Sequence, residues 1–218
     1  MRRLLPGILF FWLGSYVFGQ YTDLILPVNE VSFTVFSFKN REIADGGQSY
    51  HPYFFQGVSY KRKMGTNFIR SNFNYFQKLE KVESPDNLSQ GNYAEMEFGV
   101  GYQKNFGDYW IQPYVAGDFS ILSSKLLKEK GGGLFDFYEK IDTRSFGMGL
   151  TPSLGLKFKT FGPLSFSLET EFEFFVIWEK GSSFYWTPDI VPIYNDVNRR
   201  KYSLAWNPVG SLNISLEF

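Results

Sequence analysis

The chain has 218 residues, enough for one domain, and its 22 Lys and Arg balance 22 Asp and Glu. That neutrality lacks the basic surplus needed to bind a polyanion, which excludes nucleic acid as a partner. Absence of Cys excludes a disulfide framework, a zinc–thiolate site and a lipid-modified cysteine.

Residues 1–19 read as a secretory signal peptide. Arg2 and Arg3 give the basic start, an apolar stretch follows over 4–13, and Val17-Phe18-Gly19 offers a cleavage site. The apolar stretch is shorter than the roughly 20 residues of a spanning helix. The remainder, 20–218, is expected to form one domain, and since it has no helix-spanning apolar run, any membrane insertion must use strands.

From residue 29 onward the dominant pattern has period two, the mark of strands with one apolar and one polar face. Five weaker copies fall at about 29–38, 51–61, 67–77, 92–104 and 109–122. In the first, Val31, Phe33 and Val35 give way to Phe36 and Phe38, a phase slip that a β-bulge produces. In the second, Tyr53-Phe54-Phe55 makes both faces aromatic. Three later segments alternate more cleanly. Over 145–159, Phe146, Met148, Leu150, Leu154, Leu156 and Phe158 oppose small and polar residues. Over 162–178, Leu164, Phe166, Leu168, Phe172, Phe174 and Val176 oppose Ser165, Ser167, Glu169, Glu171 and Glu173. Over 202–218, a row ending in Leu212, Ile214, Leu216 and Phe218 opposes Ser211, Asn213, Ser215 and Glu217. The expected fold is all-β: a single closed antiparallel up-and-down barrel of about eight strands.

The connections alternate. Links at about 62–66, 105–108 and 160–163 are tight, whereas those at 40–50, 78–91, 123–143 and 179–200 are long. A transmembrane barrel with both termini in the periplasm has this arrangement of short turns and long external loops. Aromatic residues, at 20% of the chain, suit both pleated surfaces and bilayer interfaces. Pro113, Pro152 and Pro208 sit awkwardly in a closed sheet and are expected at bulges or strand ends.

With its terminal Phe218 preceded at alternate positions by Leu216, Ile214 and Leu212, and by Trp206 and Tyr202 farther up, the chain resembles small outer-membrane barrels of the OmpA/OmpX type. The resemblance covers about 29–218 and is architectural. It implies a bacterial outer-membrane location, eight strands, and insertion by the barrel-assembly machinery, which reads Leu212, Ile214, Leu216 and Phe218 as a signal. It carries no catalytic residues. The alternative is a soluble exported barrel of lipocalin type, with the apolar face turned inward around a ligand.

If the apolar rows meet lipid, the lumen holds Arg70, Glu95, Glu97, Asp118, Lys157, Glu169, Glu171 and Glu173. An eight-stranded interior is just wide enough for side chains to fill, so a closed salt-bridge network is expected. The row Glu169, Glu171, Glu173 must pair with Arg70 or Lys157, bind cations or take up protons; the alternative is a narrow cation-preferring conduit. Outside the barrel, Phe184, Tyr185 and Trp186 are candidates to contact a partner or lipopolysaccharide, or to form an outer aromatic girdle. Gly131, Gly132 and Gly133 beside Lys125, Lys128 and Lys130 suggest a mobile third loop.

His51, near Asp45 and Ser49, suggests an outer-leaflet lipid-modifying hydrolase or acyltransferase, but in no known triad spacing. Asp136, Glu139 and Asp142 lack EF-hand spacing, and no P-loop or zinc-protease motif occurs. A non-enzymatic protein without cofactor or metal is therefore expected, its partners being outer-membrane lipid, lipopolysaccharide and the assembly machinery.

Overall fold

The computed structural model describes residues 29–42, 48–65, 67–84, 87–107, 109–132, 137–160 and 162–218. The expected leader at 1–19 lies outside the described residues, as do Asp45, Asp136 and the side chains of Ser49 and His51.

Eight strands form: β1 (Asn29–Glu42), β2 (Gln48–Met64), β3 (Asn67–Ser84), β4 (Asn87–Asn105), β5 (Ile111–Gly132), β6 (Phe137–Lys159), β7 (Leu164–Thr187) and β8 (Ile190–Glu217). Each pairs antiparallel with the next, and β8 pairs with β1, so the sheet closes into an up-and-down barrel. Closure is stitched at the termini. Asn29 N donates to Phe218 O at 2.8 Å and Phe218 N donates to Asn29 O at 2.9 Å. The β1–β8 ladder continues from Glu30↔Glu217 to Phe38↔Val209.

Period-two alternation then sorts the side chains. Leu150, Leu154 and Leu156 of β6, Phe172 and Phe174 of β7, and Leu204, Trp206 and Leu212 of β8 point outward and are exposed, while Ser153, Glu169, Glu171, Glu173, Asn207 and Ser211 between them are buried. On these strands the inward row is therefore polar and the outward row apolar. The inward apolar face of the lipocalin-type alternative is not found on these strands.

The strands run far past the segments legible in sequence. Residues expected as long loops are mostly hairpin arms: β5 and β6 stay paired out to Gly132↔Phe137, and β7 and β8 to Thr187↔Ile190. The glycines at 131 and 132, expected in a mobile loop, lie in this ladder. Alternation between tight and long excursions holds, but the long ones propagate the sheet because each arm satisfies its backbone groups on its neighbour. Phe184, Tyr185 and Trp186 accordingly lie on the β7 arm, where the Phe184 ring packs on Tyr194 at 4.6 Å and on Tyr138 at 5.9 Å.

The phase slip in the first segment corresponds to a register shift of β1 between Thr34 and Phe36 against both neighbours. Its effect is to keep Phe33 and Phe36 on the outside while Glu30 and Ser32 before the slip, and Ser37 and Lys39 after it, turn inward. On β2, Gly57 pairs with Thr34 and Phe54 with Phe36, so two residues, 55 and 56, oppose Val35. Phe55 takes φ 54°, left-handed backbone, and is 80% exposed.

The three prolines are exposed and outward. Pro113 lies just beyond the last β4–β5 pair, Asn105↔Tyr114. Pro208 lies in a bulge of β8, where Glu169↔Ser211 is followed by Glu171↔Asn207. Thr170 spans that bulge: its Oγ1 donates to Asn207 O and accepts from Trp206 Nε1, each at 3.1 Å. Pro152 departs from expectation. It stands mid-strand with register kept on both sides, in a gap in the pairing between Leu150↔Phe174 and Ser153↔Glu171, so the missing N–H leaves no disrupted register.

A left-handed residue bearing a β-carbon costs about 1–2 kcal/mol. Phe55→Gly is therefore expected to raise the free energy of unfolding by about 1 kcal/mol, read from the urea midpoint; a fall of that size would show that the Phe55 ring carries packing instead.

Candidate functional site

The polar interior is organised in levels along the barrel axis. Nearest the termini, Glu30 of β1 accepts from Lys61 of β2 at 3.0 Å and from Lys157 of β6 at 2.5 Å. Lys157 reaches Glu217 at 2.6 Å, and Ser32 and Ser215 share a hydrogen bond at 2.7 Å. This level ties four strands across the lumen.

Above it stands a guanidinium clamp. Arg70 of β3 grips Asp118 of β5 with two parallel bonds, Nε to Oδ1 at 2.8 Å and Nη2 to Oδ2 at 2.5 Å. Nη1 meets Glu169 of β7 at 3.2 Å, and Nη2 also reaches Ser153 at 3.1 Å. The Tyr114 hydroxyl donates to Glu169 Oε1 at 2.8 Å, and Asn72 donates to Asp118 at 2.9 Å. A planar fork suits this two-carboxylate geometry, which a lysine point charge does not reproduce.

Small residues on β6 and β8 make room for these long side chains. Tyr114 crosses from β5 over Gly155, where a Cβ would overlap its ring, and Glu171 lies over Gly210 in the same way. The inward Gly and Ser that flank the glutamate row in sequence are thus the floor on which its partners lie.

The third level belongs to Lys39 of β1, turned inward by the bulge. Its ammonium lies 3.3 Å from Glu97, 3.3 Å from Glu171 and 3.2 Å from Glu173. Asn207 supports Glu173 at 2.8 Å, and the Tyr93 hydroxyl donates to Glu95. Beyond it the interior turns aromatic: Tyr53, Phe76 and Tyr93 pack with ring centroids 4.0 and 5.5 Å apart, joined by Leu126. Between the Arg70 clamp and this cap lies a polar cavity of about 60 Å3 lined by Lys39, Gln56, Asn74, Glu97, Ser120 and Glu171 among others. It has room for a few waters.

All eight interior candidates, Arg70, Glu95, Glu97, Asp118, Lys157, Glu169, Glu171 and Glu173, are buried and face inward. Their pairing differs from expectation at one point. Lys157 serves Glu30 and Glu217, and the upper glutamates share Lys39. Sequence reasoning missed Lys39 because a one-residue slip moves every later side chain to the other face. Glu30, in phase with the polar Ser32, carried a signal that went unused.

Out on the hairpin arms, Lys140 donates to Glu129 at 2.7 Å, and Gln90 donates to the same carboxylate at 3.0 Å. The hydrogen bond from Lys140 holds the Glu129 carboxyl below its usual value, and the same bond holds the Lys140 ammonium above its own. The depressed carboxyl contributes only above its ordinary pKa, and that contribution fades as pH falls through the lowered value. Among the described residues no His, Cys, Asp and Glu group is arranged to hold a metal. Glu139 and Asp142 are described, but they form no such group.

Neither a protein-family model nor a curated protein sequence matches the chain.

Removing one partner from a buried charge pair costs about 3–5 kcal/mol because the other is left uncompensated. Arg70→Ala should lower stability by about that amount, and Arg70→Lys should recover only part of it; a loss below about 1 kcal/mol for Arg70→Ala would contradict the clamp. Gly155→Ala should cost about 1–3 kcal/mol by displacing the Tyr114 ring, and the loss should shrink in a Tyr114→Ala background, as a double-mutant cycle measures.

Proposed function

We propose that the chain is an integral barrel of a bacterial outer membrane, of the small OmpA/OmpX style, with a structural or surface-interaction role and a lumen filled by its own side chains. The observation that carries this reading is the pairing of an apolar exterior with a charged, internally satisfied interior. Large apolar side chains stand exposed around the wall, among them Phe33, Phe73, Phe98, Phe119, Leu150, Phe174 and Leu204. Soluble monomers rarely expose a contiguous apolar patch beyond about 300–600 Å2, whereas hydrocarbon chains accept such a belt and tolerate no unpaired backbone within it. Exposed rings cluster at both margins: Phe106, Tyr109, Trp110 and Phe218 toward the termini, and Phe146, Trp178 and Tyr202 toward the long hairpins. Girdles of this kind mark membrane interfaces.

In this reading residues 1–19 direct export and are removed, the assembly machinery reads the strand ending in Phe218, and the termini and tight turns face the periplasm. The long hairpins then stand outside. The cavity above Arg70 supports a second reading, a narrow cation-preferring conduit along Glu169, Glu171 and Glu173. The Glu30–Lys61–Lys157 level below it and the Tyr53–Phe76–Tyr93 cap above favour the closed lumen.

Expressed with its leader in a Gram-negative host, the protein should fractionate with outer membranes and run faster on gels unheated than boiled. Recovery in the soluble periplasm without detergent would sink the membrane reading. In planar bilayers the closed lumen predicts no steady conductance; cation-selective steps abolished by replacing Glu169, Glu171 and Glu173 with Gln would establish the conduit instead.

A further inference from the structure

Where the apolar wall ends toward the long hairpins, the outward ladder positions of three adjacent strands are all basic. Lys125 of β5 pairs with Arg144 of β6, and Arg144 pairs with Lys180 of β7. Directly opposed residues hold their Cβ atoms about 5 Å apart, so three cations form a row across the wall. All three are exposed, and among the described residues no carboxylate forms an ion pair with them. Nearby, the Arg200 guanidinium of β8 lies over the rings of Trp178 and Tyr202, at 5.7 and 5.0 Å from their centroids.

The surroundings are ordered by level. One step toward the termini, the outward row reads Ser123, Phe146, Trp178 and Arg200; the next reads Ile121, Met148, Val176 and Tyr202. One step the other way, Asp142 and Asp196 flank Ser182, and beyond them Lys140 is already neutralised by Glu129. Like charges set side by side on a sheet destabilise it. A row of three that forms no ion pair among the described residues is a site suited to an anion.

We infer that Lys125, Arg144 and Lys180 bind the phosphorylated headgroup of an outer-leaflet glycolipid, with its acyl chains lying down the wall over Phe146, Met148, Leu150 and Phe174. The inference rests on the membrane reading above, which sets this margin at the external leaflet. Three features select such a ligand over a free anion. Arg144 and Lys180 border the apolar wall directly, at Phe146 and Trp178, the three cations extend laterally over three strands as a headgroup with more than one phosphate requires, and Arg200 with Trp178 offers a flat amphipathic edge beside them for a sugar ring. Guanidinium and ammonium groups are the usual partners of phosphate oxygens.

The test uses the full barrel reconstituted into phosphatidylcholine vesicles, with bisphosphorylated lipid A, its dephosphorylated form or phosphatidylglycerol added in trace amounts. Lipid retained by the detergent-extracted protein is measured by native mass spectrometry. Wild type should retain bisphosphorylated lipid A. A triple Lys125→Gln, Arg144→Gln, Lys180→Gln variant should retain it about tenfold less or worse, with unchanged heat-dependent gel mobility. Equal retention by wild type and variant, or equal retention of dephosphorylated lipid A, overturns the site; equal retention of phosphatidylglycerol overturns its assignment to a glycolipid. Failure of wild type to insert overturns the membrane reading and this inference with it, whereas insertion without a lipid A preference overturns this inference alone.

Discussion

The pairing of β8 with β1 is the constraint from which the rest follows. A sheet with two free edges can leave its strands to choose which face is dry, but a closed ring of eight has one inside and one outside, and every residue is assigned by parity. Closure also pairs Glu30–Phe38 of β1 with Val209–Glu217 of β8, edges that an open sheet would leave bare. Once Asn29 and Phe218 exchange their backbone bonds, the alternation along β7 sends Glu169, Glu171 and Glu173 inward and Leu168, Phe172 and Phe174 outward together.

An interior of this kind is expensive to dehydrate, and the chain meets the cost by joining opposite walls. Arg70 links β3 to β5 and β7, Lys39 links β1 to β4 and β7, and Glu30 links β1 to β2 and β6. Such charges contribute little net stability compared with an apolar core, but breaking any one of them is costly. They also oppose register error. Sliding β3 by one residue would turn Arg70 out to the apolar wall and leave Asp118 and Glu169 facing each other without it.

Much of the architecture was legible in the sequence because period-two alternation with a consistent polar row is a strong signal; the segments at 145–159, 162–178 and 202–218 needed nothing else. The eight strands and tight turns were visible for the same reason. The hairpin arms were not, since beyond the belt neither face is consistently apolar: Lys125-Leu126-Leu127-Lys128 on β5 and Glu139-Lys140-Ile141-Asp142 on β6 read as loop although they pair throughout. Within the interior, alternation gave the acidic row and Arg70, while Lys39 lay hidden behind the bulge after Thr34. The basic row at 125, 144 and 180 is invisible in one dimension, because only ladder register brings those positions side by side.

The direction in which the apolar rows face is most directly tested by site-specific labelling, which the absence of Cys makes simple. A fluorophore on a single cysteine at Leu150 or Leu204, in the refolded barrel in vesicles, should be quenched by nitroxides on lipid acyl chains and shielded from aqueous iodide. Labels quenched by iodide and untouched by the lipid nitroxides would contradict the account.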